Sequence, residues 1–220
     1  MSNHLKTAKS NYLKTKRSQI EERLQAPQMV IAAADLTQYI LASDPNRLAH
    51  SQGVARRAQF LSLTVEPSRA SLLVAAAWVH DIGYAPGLRY TGFHPIDGAK
   101  HLRNIGWGPA ICNLVAHHSG ARFVARALEL DRELEEYQFF EDAVSDALTV
   151  ADQTTGPHGE AMNPDERMRD MLIRHGPDSA NARAHPVREP YLRAAAARVA
   201  QRLDSIGMNA ELTEIATAAA

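Results

Sequence analysis

Segments with the apolar spacing of α-helices follow one another along the chain from residue 28 onward. They begin at prolines or capping residues, as at Asp44 and Pro45, and end at glycines, as at Gly106. No stretch alternates apolar and polar side chains over the length of a strand, and no segment repeats. These features predict an all-α protein that folds as an irregular globular helical bundle with short loops.

The length and composition indicate one compact unit with a sizeable core, because 45% of the 220 residues are apolar and 22% are charged. A net charge of -1 excludes general polyanion binding by charge alone, so nucleic acid is not an expected partner. The single cysteine, Cys112, excludes an intramolecular disulfide and a cysteine-based zinc site. Without an 18-residue apolar run or a signal peptide, we expect a cytoplasmic protein with no membrane partner.

Three regions are predicted along the chain. Residues 1–28 form a basic arm or helix, which we expect to be solvated because Tyr12 is its one aromatic residue. Residues 29–156 form the core. Residues 157–220 supply C-terminal helices that pack on the core, cover the site or form a homodimer contact.

Two aspartates occupy places where a carboxylate is unfavourable. Asp81 follows the apolar segment "LLVAAAWVH", and Asp152 follows "DALTVA". Each lies at the C-terminal end of a predicted helix, where the helix dipole disfavours an anion by about 0.3–1 kcal/mol. Burial of an unpaired carboxylate costs far more. Two such aspartates in one chain predict a shared cation.

Histidines near the ends of apolar helices supply the other ligands of such a cation. Imidazole and carboxylate without thiolate suit two divalent transition metal ions, iron or manganese first and cobalt, zinc or magnesium as alternatives. Asp81 can bridge the two ions because a carboxylate has two oxygens. The predicted ligands are His50, His80, Asp81 and Asp152 for one ion, and Asp81, His94 and one or both of His117 and His118 for the other.

The ordered motifs "RLAHSQGVA", "HDIG", "HPIDGAKHL", "LVAHHSG" and "LTVAD", between residues 45 and 155, resemble the HD-domain superfamily of metal-dependent phosphohydrolases. The additional histidines resemble its binuclear branch, and "HPIDGAKHL" is similar to the dinucleoside-tetraphosphate hydrolases. The resemblance implies an HD-type fold with metal ligation by the histidines and aspartates above. It also implies cleavage of a phosphoester or phosphoanhydride in a small, nucleotide-like phosphorylated substrate, with Asp81 in the catalytic centre.

One position departs from the family pattern. Many members have a lysine three residues after the aspartate of the His-Asp pair, and this chain has Tyr84. Phosphate must then be bound by other side chains, and we expect His101 to protonate the leaving group. The predicted substrate-binding residues are Arg122, Lys100, Tyr84 and Thr155, with Arg56 or Arg57 as further cations.

Two other functions remain open at this stage. The same fold is found in mixed-valent di-iron oxygenases with a similar order of ligands, and Tyr84 in place of lysine is compatible with that activity. A non-catalytic nucleotide-sensing HD domain is the second alternative. The complete set of histidines and aspartates argues against it, because a sensor has no need for so many buried polar groups.

Overall fold

The computed structural model describes residues 27–208. The predicted all-α fold is confirmed, since no strand occurs among these residues and Thr155 and Ala161 form an isolated bridge. The predicted N-terminal arm lies outside the described residues except for 27–28. The helices are α1 (27–40), α2 (Pro45–Leu61), α3 (Ala70–Val79), α4 (His94–Asn104), α5 (Pro109–His117), α6 (Ala121–Ala127), α7 (Asp131–Leu134), α8 (Ala143–Gln153), α9 (Pro164–His175) and α10 (Ala180–Ser205).

Helix α3 lies at the centre of the core. Its residues from Leu73 to Ala77 and Val79 are buried, and it contacts α2, α5 and α8. Three successive alanines, 75–77, leave room for these neighbours to approach closely. The C-terminal end of α3 therefore delivers His80 and Asp81 to the interior of the protein.

Helix α10 begins earlier than its sequence suggests. The segment from Arg188 to Gly207 reads as a helix, but α10 starts at Ala180 and continues through Pro186 and Pro190. Each proline removes one intrahelical hydrogen bond. A Ser179 side-chain cap and the packing of α10 against α6, α8 and α9 offset that loss. The first turn of α10 is thereby placed beside the site described below.

The C-terminal helices are also tied to α8 by charge. The buried side chain of Asp146 on α8 accepts hydrogen bonds from Arg198 and Arg202 on α10. This pairing holds α10 against the core. Within the described part of the chain, every helix is too short or too polar to cross a membrane.

Candidate metal centre

A glycine allows the end of α3 to lie against α4. The chain after Asp81 makes a single 3-10 turn, Ile82–Tyr84. A Cβ at Gly83 would lie 2.1 Å from the carbonyl oxygen of His94, so any larger residue would separate the turn from α4. This close contact brings His94, the first residue of α4, to the Asp81 carboxylate.

Six of the predicted ligands come together at this point, and we refer to them as the His-Asp cluster. They come from three helices, α2, α4 and α8, and from the chain directly after α3 and α5. Their positions on different elements explain why a folded chain is needed to form the group. The cluster consists of His50, His80, Asp81, His94, His118 and Asp152.

The two oxygens of Asp81 face different pairs of histidines. Oδ2 lies 3.6 Å from Nε2 of His50 and 3.4 Å from Nε2 of His80. Oδ1 lies 3.2 Å from Nε2 of His94 and 3.8 Å from Nε2 of His118. The Asp81 side chain is therefore placed between two groups of nitrogen ligands.

Asp152 completes the side of the cluster that contains His50. Its Oδ1 lies 3.2 Å from Nε2 of His50, and its Oδ2 accepts a hydrogen bond from the hydroxyl of Ser119. Two sets of three residues could each hold a metal ion, because the ligand atoms within each set all lie within 4.8 Å of one another. These sets share His80 and consist of His50, His80 and Asp152, and of His80, Asp81 and His118.

Backbone carbonyls fix the orientation of three imidazole rings. Nδ1 of His50 lies 2.9 Å from the oxygen of Gly156, and Nδ1 of His80 lies 2.8 Å from that of Ala77. Nδ1 of His118 lies 2.7 Å from the carbonyl oxygen of Val115. Each carbonyl can accept only from an Nδ1–H group, which turns Nε2 toward the cluster, as in histidines that bind metals.

The protonation states expected at neutral pH are those of metal ligands. Burial lowers the pKa of His94 and of His118 to about 4, and it also lowers the pKa of His80. Burial alone would raise the pKa of Asp81, but His80 and Arg47 outweigh it and hold that pKa well below its usual range. Neutral imidazoles thus face ionised carboxylates.

This arrangement fits a metal ion. In neutral His80 the Nδ1–H group is used by Ala77, so Nε2 presents a lone pair to an oxygen of Asp81. Buried Nε2 of His80 has no hydrogen-bond partner among the described residues. Two acceptors that face each other in the interior are stabilised by a cation between them, and an unpaired buried polar atom is otherwise costly.

A left-handed turn directly follows the two neighbouring histidines. Ser119 has φ 49° and Gly120 has φ 69°, and a positive φ at a non-glycine residue is strained. The Ser119 hydroxyl holds the turn by its bond to Asp152. Helix α5 ends at His117, and His118 leaves it with a ψ of 148°. His118 faces the cluster, whereas Nε2 of His117 lies 2.8 Å from the carbonyl oxygen of Tyr137.

The other predicted residues lie in different environments. Tyr84 stacks on the ring of His94, with 3.9 Å between the ring centroids, and lines the cavity beside the cluster. The hydroxyl of Thr155 donates to the carbonyl oxygen of Ala151. Lys100 lies over the ring of Tyr90. Of these three residues, only Tyr84 is placed to contact a substrate in the cavity.

Arg122 and His101 also lie apart from the cavity. The Arg122 guanidinium is surrounded by the aromatic rings of Phe123, Phe139 and Tyr191, at 4.2–4.8 Å from their centroids. His101 is half-buried on α4 and is not among the residues that line the cavity. Neither residue lines the cavity beside the cluster, and their roles with phosphate and the leaving group stay predictions.

Arg47 is a site residue that sequence reasoning missed. Its Nη1 lies 2.6 Å from Oδ2 of Asp81, and its guanidinium lies 3.9 Å above the ring of Tyr84. Burial alone would lower the pKa of Arg47, but Asp81, Tyr84 and Asp152 together outweigh burial and raise that pKa. Arg47 precedes His50 by three residues on α2, so it shares that helix face. The spacing alone does not distinguish it from a surface arginine.

A cavity of about 290 Å³ opens over the cluster. One side is formed by Asp81, His94, His118 and Asp152. Residues of α9 and α10 also line the cavity, and the three arginines among them are named the arginine face. The arginine face consists of Arg167, Arg174 and Arg188, with His175 beside it.

Comparison with known protein families identifies a family for this chain. The family model for the HD domain matches residues 47–206, from the beginning of α2 to the residue after α10. The match includes the cluster and the arginine face. No curated protein and no solved structure matches the chain.

Proposed function

The chain belongs to the HD-domain family, and from this membership we propose that it is a metal-dependent phosphohydrolase with a binuclear centre. The observation that carries the proposal is the division of the Asp81 oxygens between two pairs of histidines. A carboxylate in that position is suited to bridge two ions. The proposed substrate is a small phosphorylated molecule.

The proposed ligands follow from the distances in the cluster. His50, His80, Asp81 and Asp152 would hold one ion, and Asp81, His94 and His118 would hold the other. Such ions, when bound, neutralise phosphate charge and lower the pKa of water toward neutrality. Iron and manganese remain the first choices for a set of imidazole and carboxylate ligands.

Several side chains hold this centre in place. Arg47 donates to Asp81, and Arg167 lies 3.4 Å from Asp152, so both carboxylates stay ionised and oriented. Tyr84 lies between the Arg47 guanidinium and the His94 ring, which limits rotation of that imidazole. The function of Tyr84 in this proposal is to position His94, in the place where related proteins have a lysine.

The cavity also contains a candidate proton donor. His175 lies in its wall, and burial together with Arg174 lowers the pKa of this histidine. The approach of an anionic phosphate would raise that pKa and favour the protonated form. We therefore prefer His175 to His101 for protonation of the leaving group.

The arginines favour hydrolysis of phosphate over the oxygenase alternative. Arg47 and the arginine face line the cavity, and guanidinium groups bind phosphate oxygens through paired hydrogen bonds. An oxygenase that attacks a C–H bond needs no such number of cations at its substrate. A nucleotide-like substrate stays a prediction.

The test is turnover by protein depleted of metal and then supplied with manganese, iron(II) or cobalt. We expect phosphate release from at least one member of a panel of phosphorylated compounds, and no release after chelation. Oxygen consumption without phosphate release would instead support the oxygenase. Tight nucleotide binding without turnover under any metal would support the sensor.

A further inference from the structure

Arg188 on α10 is a buried cation that makes no ion pair with a carboxylate of the described residues, although the charge of Asp152 acts on it from beyond contact distance. It is 8% exposed and lines the cavity. Its Nε donates to the carbonyl oxygen of Ser119 at 2.8 Å, and its Nη1 lies 3.4 Å from the amide oxygen of Asn181. Both acceptors are neutral, in contrast to the carboxylates that face Arg47 and Arg167. A buried charge without a counter-ion is costly unless a ligand supplies one.

An unpaired hydrogen-bond donor lies in the same cavity wall. Arg167 is 7% exposed, and its Nε has no hydrogen-bond partner among the described residues. Its two terminal nitrogens lie 3.4 Å from Asp152 and 3.5 Å from Asp170. The arginine face therefore holds more hydrogen-bond donors than its own acceptors use.

The first turn of α10 adds partial positive charge at this place. Ser179, Ala180 and Asn181 line the cavity, and α10 is 26 residues long. The first N–H groups of a helix have no intrahelical acceptor, and the helix dipole favours an anion beside them. A buried arginine and a helix N-terminus thus lie on the same side of the cavity.

The charges that line the cavity also favour a bound anion. Its lining contains four arginines and two carboxylates, Asp81 and Asp152. These carboxylates are taken up by the proposed metal centre. Arg174 is neutralised in part, since its Nε lies 2.7 Å from Asp170 and its side chain is 35% exposed. With one phosphate at the metal centre, Arg188 would still have no anion in contact, and Arg174 would be neutralised only in part.

We infer that the substrate carries a second anionic group, a phosphate or a carboxylate, which is bound by Arg188, Arg174 and the first turn of α10. This inference rests on the proposed function, because it places the scissile phosphate at the His-Asp cluster. Arg188 binds the carbonyl of Ser119, which directly follows His118, so the two anionic groups lie close together. The cavity of about 290 Å³ is small for a ligand pocket, so the substrate class is a compact molecule with two anionic groups.

Binding to the full chain, stripped of metal by a chelator, tests this inference without turnover. The calorimetric probes are glycerol 3-phosphate, 3-phosphoglycerate and glycerol 1,3-bisphosphate, which share a three-carbon skeleton. We expect the two probes that carry two anionic groups to bind at least about 10-fold more tightly than glycerol 3-phosphate, which carries one. This factor is the scale of a hydrogen-bonded charge pair. The tighter of the two identifies the second group as carboxylate or phosphate.

Two variants and a control locate the effect. Arg188→Met should abolish the preference for two anionic groups, and Arg174→Gln should reduce it. Arg174→Gln is less liable to disturb folding, because Arg174 is partly exposed. Arg193→Gln removes an exposed arginine of the same helix, outside the cavity, and should leave the preference intact. Circular dichroism verifies that each variant is folded.

The inference is overturned if the probe with one anionic group binds as tightly as the probes with two. It is also overturned if no probe binds at millimolar concentration. A preference that survives in both variants also overturns it. Failure of the proposed function has a different readout, because it would appear as absence of phosphate release by the metal-loaded protein with every substrate.

Discussion

Asp97 and Asp146 are as deeply buried as Asp81 and Asp152, but different groups face their oxygens. Asp97 accepts hydrogen bonds from the backbone and hydroxyl of Thr91 and from the amide of Gly92. Asp146 accepts from two arginines of α10. The oxygens of Asp81 and Asp152 also meet arginines, but in addition they face imidazole nitrogens.

The difference separates a structural carboxylate from a proposed metal ligand. Amides, hydroxyls and guanidinium groups are permanent donors, so the Asp97 and Asp146 carboxylates are satisfied by the protein itself. A neutral imidazole whose Nδ1–H is already used presents a lone pair at Nε2. A carboxylate oxygen cannot accept a hydrogen bond from that nitrogen. Burial alone therefore does not identify a site, whereas the protonation of the facing nitrogen does.

The largest expected effect comes from removing the proposed bridge. Asp81→Asn should lower metal content from about two equivalents to none and reduce turnover by about 10³-fold or more, the scale of losing one preorganised electrostatic group. His94→Gln should lose mainly one equivalent. Elemental analysis of untagged protein measures both. Asp146→Asn is the matched control, buried on α8 outside the cluster, and should keep both ions.

Equal metal content in Asp81→Asn and the unchanged protein would remove the distinction between the two kinds of aspartate. Equal loss in Asp81→Asn and His94→Gln would contradict the bridging position.

Acidification tests whether the nitrogens that face Asp81 are neutral. In the metal-free protein, His94 and His118 have a pKa of about 4, below the unfolded value of 6.5. The unfolded chain therefore binds more protons between these values. The stability that the two neutral histidines contribute is fully present above pH 6.5 and is lost as the pH falls toward 4. The free energy of unfolding should fall by about 2 kcal/mol per histidine from pH 7 to pH 5. Urea unfolding with chelator present measures the change.

The double variant His94→Gln with His118→Gln should flatten this dependence. The lowered pKa of Asp81 and of Asp152 does not contribute in this window, since their stabilisation is lost only when the pH falls below about 4. A metal-free protein equally stable at pH 7 and pH 5 would contradict the neutral imidazoles.

The smallest of these effects concerns the structural side of the comparison. Arg198→Ala with Arg202→Ala leaves the Asp146 carboxylate buried without a cation. The free energy of unfolding should fall by about 3 kcal/mol, at the lower end for a broken buried ion pair because water can enter the vacated space. Metal content should not change. Urea unfolding of the metal-free protein gives the free energy.

Arg193→Ala on the same helix is the control, and a surface change of this kind should stay within about 0.5 kcal/mol. If the double variant behaved like this control, Asp146 would not depend on its arginines.

Local patterns predicted much of the fold. The cap at Asp44 and Pro45 begins α2 as expected, because a side-chain acceptor and a fixed φ act within one turn. The beginning of α10 was not predicted, because its prolines normally end a helix and only tertiary packing retains them. The choice between His117 and His118 was not predicted, because α5 ends between them and the chain continues into the turn at Ser119, whose hydroxyl bonds to Asp152, 33 residues away.

The sequence by itself determined the helical fold and the set of histidines and aspartates that the structure brings together, since apolar periodicity and helix ends are local properties. Only the tertiary structure decided which cations join them. Arg47, Arg167 and Arg188 lie on three different helices, and nothing near each arginine in the chain distinguishes it from a solvated one. Their charge acquires a partner or lacks one only when α2, α9 and α10 enclose the same cavity, because burial removes the water that would otherwise screen it.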